Sequence, residues 1–83
     1  MNEKELLQAA LFFDRVRDEI GDREFDRYKD IIIELTADVL DEWRKHGKTA
    51  EELFETDEML MLVDYACSAQ ELLDTLMLYL RKG

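Results

Sequence analysis

No proline occurs anywhere in the 83 residues, and there are only three glycines. Proline removes a backbone donor and glycine weakens a helix interior, so a chain with so little of either is free to run in long helices. Leu, Glu, Asp, Lys, Arg and Ala are abundant, and the apolar spacing is helical rather than alternating. The chain is therefore expected to be an all-α antiparallel bundle of three long helices, or four, forming one domain over residues 1–83.

The first helix is read from Leu6, Ala9, Phe13, Val16 and Ile20, which step by three and four. Gly21 is expected to end it, with Asp22 accepting the free N–H groups of the next helix. Phe25, Tyr28, Ile32, Leu35, Val39 and Trp43 continue the spacing in a second helix. Arg44-Lys45-His46-Gly47 closes that helix, because cations suit the negative end of its dipole and glycine suits the residue beyond it. Thr49-Ala50-Glu51-Glu52 is a capping box, which opens a short turn of helix over 50–55.

Met59, Leu62, Ala66, Ala69, Leu73, Leu76 and Leu80 then keep three-four spacing without a slip, predicting one continuous helix from about residue 57 to 82. Ser68-Ala69-Gln70-Glu71 is a second capping box, and a split there is the alternative. No Gly or Pro marks a break, which favours continuity.

This last segment is too apolar for one buried face. Met61, Tyr65, Leu72 and Tyr79 form another stripe beside the first, with Leu60, Val63, Met77 and Leu78 between them. Ile31, Ile32 and Ile33 make the same point in the second helix, since successive helical residues point about 100° apart. A domain of this size buries only roughly 60% of its unfolded surface, so unburied apolar area is expected to meet a partner or a second copy. Met and Tyr suit adaptable binding surfaces.

The charge is uneven. The net value is −10, yet residues 1–48 are mixed, whereas residues 49–80 hold eight acids and no Lys or Arg. In the first part, Arg23 and Arg27 are spaced to pair with Asp26 and Asp30. In the second, Glu51, Glu52, Glu55, Asp57 and Glu58 cluster near helix starts, where the dipole favours them, and Asp64, Glu71 and Asp74 follow. Such a surface disfavours direct contact with nucleic acid or an anionic membrane and favours a basic protein. The longest apolar runs are only five residues, among them Ala9–Phe13 and Met59–Val63, too short for a membrane span. The lone Cys67 is expected to be a small buried side chain in a reduced, cytoplasmic setting. Residues 2–5 lack the basic start of a signal peptide.

Two acidic segments carry a resemblance. Lys48-Thr49-Ala50-Glu51-Glu52-Leu53-Phe54-Glu55 and Glu71-Leu72-Leu73-Asp74 resemble the paired motifs of the all-α nucleotide pyrophosphatases, the MazG and phosphoribosyl-ATP pyrophosphohydrolase superfamily. The resemblance implies Glu51, Glu52, Glu55, Glu71 and Asp74 as ligands of Mg²⁺, which would activate water against a phosphoanhydride. That enzyme is the alternative reading. Elsewhere no catalytic set is legible: His46 is the only histidine and lies at a helix end, and there is no glycine-rich phosphate loop or zinc-ligand spacing.

The leading expectation is a small acidic interaction module, an adaptor or an inhibitor or immunity-type protein, with no cofactor. It is expected to form a homodimer and to bind a basic partner through Trp43, Met61, Tyr65, Leu72 and Tyr79 with the acids Glu51, Glu52, Glu55, Asp57 and Glu58.

Overall fold

In the computed structural model, which describes residues 2–81, six helices follow one another in chain order. These are α1 (Glu3–Ile20), α2 (Asp22–Arg27), α3 (Lys29–His46), α4 (Ala50–Glu55), α5 (Asp57–Tyr65) and α6 (Ala69–Arg81). No strand occurs among the described residues, so the all-α class holds. The short helix over 50–55 and the new start at residue 57 also lie where the sequence placed them. Of the expected three long helices, or four, it is four that reach seven residues or more among the described residues, α1, α3, α5 and α6, with α2 and α4 shorter.

The break at residues 66–68 overturns the continuous last helix. Ala66 is extended, and Ser68 Oγ accepts the Glu71 N–H at 3.1 Å while the Glu71 carboxylate takes the Cys67 N–H at 3.4 Å. The second capping box therefore acts. A straight helix over residues 57–81 would reach about 38 Å, whereas the folded molecule spans 33 Å in its longest direction. Breaking the helix instead folds α6 onto both α3 and α5.

The second helix is also divided, at Tyr28, although the i→i−4 hydrogen bonds continue through Tyr28 on both sides. The turn brings Phe25 under α1, where its ring meets Phe13 edge-on at 5.8 Å and carries the Arg17 guanidinium at 4.6 Å. Asp22 does not cap α2, but pairs with Arg17 at 3.4 Å. Arg23 and Arg27 do not pair with Asp26 or Asp30 among the described residues.

α1 packs on α3 and α4, and α3 packs on α6. Phe12, Val16, Ile32, Leu35, Val39, Met59, Leu73 and Leu76 are the largest fully buried side chains. On α1 the inward face is Ala9, Phe12 and Val16, not the expected stripe, for Leu6 is exposed and Phe13 only half-buried. The three isoleucines divide as helical geometry requires, with Ile32 buried, Ile31 half-buried and Ile33 exposed.

Glu5 at the start of α1 pairs with Arg44 at the end of α3 at 3.0 Å, so these helices run in opposite directions. The hydrogen bond from Arg44 holds the Glu5 carboxyl below its ordinary pKa and raises that of the guanidinium. Arg81 ties the end of α6 to Asp38 of α3 at 3.0 Å.

Gly21 and Gly47 both have positive φ, but in different regions: Gly47 is left-handed helical (φ 68°, ψ 10°), while Gly21 is extended on the positive side (φ 86°, ψ 160°). Asparagine tolerates the first conformation and not the second. No atom lies within 4 Å of a Cβ at either site, so any cost comes from the backbone. Gly21→Asn should therefore destabilise by about 1–3 kcal/mol, and Gly47→Asn by clearly less. Equal losses in urea denaturation would contradict this.

Candidate protein-docking surface

The surface is built on α5 and α6, joined by the short 66–68 connection. Thr56 starts α5 by accepting the Met59 N–H at 3.2 Å, and Asp57 and Glu58 in the first turn suit its dipole. With this start Met59 is buried, Leu62 and Val63 are half-buried, and Met61 and Tyr65, one turn apart, face outward. On α6, Leu72, Leu73, Leu76 and Leu80 turn inward and leave Leu78 outside.

Tyr65 and Leu78 are each 74% exposed and Met61 56%. These are large values for side chains whose transfer from water is favourable by roughly 1.5–3 kcal/mol when fully buried. Between the helices lies an open cleft of about 580 Å³, lined by Glu58, Leu62, Thr75, Met77, Leu78, Tyr79 and Arg81.

A second, smaller cleft of about 250 Å³ lies on the α1/α4 side. Leu60, from the same helix α5, lines it together with Leu11, Phe54, Glu51 and Glu55. Arg15 also lines this cleft, its guanidinium over the Phe54 ring at 5.4 Å and paired with Glu19 at 3.1 Å.

The anticipated site is thus divided. Met61 and Tyr65 are exposed together, Tyr79 is half-buried at the larger cleft, and Glu58 lines that cleft too. Leu72 is a correction: it is 4% exposed and belongs to the core, because the break at 66–68 turns α6 so that residue 72 faces inward. Trp43 is half-buried in the last turn of α3 and lines neither cleft. Glu51, Glu52 and Glu55 are exposed on α4, and Asp57 on α5.

Leu78, Leu62 and Met77 had no place among the expected anchors. Their signal was the apolar surplus of the last segment, but the face each occupies depends on the break. Cys67, expected to be buried, is exposed in that connection.

The carboxylates of the pyrophosphatase resemblance are not assembled. Among the described residues no three His, Cys, Asp or Glu side chains form a group able to hold a metal. Mg²⁺ needs near-octahedral oxygen ligation, so Glu51, Glu52, Glu55, Glu71 and Asp74 do not fit it in this arrangement. Glu71 instead closes the cap of α6.

No family model, curated protein or solved structure matches the chain.

No helix among the described residues is long and apolar enough to cross a membrane. All eight acids of residues 49–80 are exposed. Apart from Glu58, they make no ion pair among the described residues, whereas Glu5, Asp14, Glu19, Asp22, Asp38 and Asp41 of the first part do.

Proposed function

We propose that the protein is a small acidic interaction module that docks a basic protein through the outer face of α5 and α6. The observation that supports this most is the joint exposure of Met61, Tyr65 and Leu78 beside an apolar cleft. Large aromatic and flexible apolar side chains supply most of the energy of protein association, and surrounding charge sets partner choice and encounter rate. The acids around this face leave it negative, so the chosen partner is cationic.

The same charge opposes the homodimer suggested by apolar surplus alone. A two-fold contact through this face would bring each acid toward its own copy, with no base on α5 to offset it. The module therefore acts as a monomer toward a different protein, in the manner of an adaptor or inhibitor.

The test is a triple substitution, Met61→Ala, Tyr65→Ala and Leu78→Ala. All three side chains are exposed, so helicity by circular dichroism should be retained. Wild-type protein used as bait in lysate of its source should retain a basic protein at low salt and release it at high salt, because screening shortens the reach of surface charge. The triple variant should lose that capture. Unchanged capture by the variant, or a sedimenting dimer that the variant abolishes, would overturn the reading.

A further inference from the structure

We infer that the α5/α6 cleft receives a basic amphipathic helix of the partner, an inference that rests on the docking role proposed above. Three modes of peptide recognition are open to a surface of this kind in general: addition to a sheet edge, an extended proline-rich segment on an aromatic groove, and a helix laid in a groove. The first needs a strand edge, and none exists among the described residues. The second is built on aromatic walls, whereas this cleft is walled largely by Leu62, Met77 and Leu78, with Tyr79 its one aromatic lining residue. A trough between two helices joined by three residues matches the third. There the ligand's apolar side chains at i, i+3, i+4 and i+7 would enter between the rows of both walls.

Charge specifies the rest of the ligand. Along α5, Asp57 lies one turn before Met61 and Asp64 one turn after it, so both border the Met61–Tyr65 row. Along α6, Asp74 lies one turn before Leu78, and Glu71 lies one turn before Thr75, which lines the cleft. These four acids are exposed and make no ion pair among the described residues. The one cation that lines the cleft, Arg81, is already paired with Asp38. An apolar trough whose lining residues on α6 stand one turn from exposed acids, beside a Met61–Tyr65 row bordered by two more, is complementary to a helix whose apolar stripe is bordered by Lys or Arg. The 13 residues of α6 set its length, since they span about 20 Å and so match a ligand helix of three to four turns.

The probe is a blocked 14-residue peptide with Leu on one helical face and Lys on the remainder. It is titrated into the isotopically labelled full chain beside a permuted peptide of the same composition and a Glu-for-Lys counterpart. The Leu/Lys peptide should bind roughly tenfold tighter than either control, a difference of the size that central apolar anchors supply. It should gain helicity on binding, and should shift the backbone resonances of Met61, Leu62, Tyr65, Leu78 and Tyr79. Tyr65→Ser with Leu78→Ser should weaken it by roughly tenfold.

Equal binding of the permuted peptide at the same residues would overturn the helical ligand while leaving a basic partner at this face intact. Equal binding of the Glu peptide would overturn the charge argument. Failure of every basic peptide to perturb α5 and α6 would remove the helical ligand and the docking face together.

Discussion

Phe12→Ala should cost the fold about 3–5 kcal/mol. Phe12 is fully buried at the centre of α1, its ring 5.9 Å from that of Phe54 on α4. The substitution removes the ring that meets Phe54 of α4, from a core cluster that also holds Ile32, Leu35, Val39, Leu73 and Leu76. A domain of 83 residues has a total stability of about 4–12 kcal/mol, so the loss is a large fraction of the whole. In a melt it should lower the midpoint by more than about 12 °C. Phe13→Ala is the control, because its half-buried ring touches Phe25 only edge-on at the rim. It should cost clearly less than its neighbour. Equal losses would mean that the inward face of α1 is not the one formed by Ala9, Phe12 and Val16.

The second large effect is expected from a polar residue. Gln8 is buried, and its side-chain oxygen accepts the Ala50 N–H at 2.8 Å across 42 positions of sequence. Ala50 is the first residue of α4, and such first-turn donors have no partner inside their own helix. Thr49 takes the Glu52 N–H at 3.1 Å, so α4 is capped once from within and once by α1. Gln8→Leu preserves much of the volume but leaves the Ala50 N–H buried without an acceptor. The expected loss is about 1–3 kcal/mol. Hydrogen exchange gives the direct reading: the Ala50 amide should lose protection in Gln8→Leu. Protection equal to wild type would show that another acceptor replaces Gln8.

The sequence made some of this legible and hid the rest for physical reasons. Gly21 and Gly47 were readable stops because glycine, without a Cβ, adopts positive φ at no steric cost. The Thr49 box and the short α4 were readable because capping is local chemistry. The inward positions of α3, Ile32, Leu35 and Val39, followed from spacing alone. On α1, two phenylalanines side by side made the face ambiguous by one position, and only contact with Phe54 and Phe25 decides between them. The break at 66–68 was outweighed by an apolar stripe that stays in phase across it, while the contacts of α6 with α3 and α5 that accompany the break are tertiary. Gln8 gave no signal because its partner is a backbone donor on a distant helix. The candidate docking surface was half legible: the apolar surplus was visible and the Leu73, Leu76 and Leu80 stripe leaves Leu78 outside, but the burial of Leu72 was not read from it.

The separation of α5 from α6 has a consequence for how this protein can change. α5 places one fully buried side chain, Met59, in the core, while α1, α3 and α6 carry most of the rest. Met61 and Tyr65 can therefore vary with little effect on whether the chain folds. On the docking role proposed above, partner choice and foldability would rest on different residues, and substitutions on one nine-residue helix would retarget the module while its scaffold stays fixed.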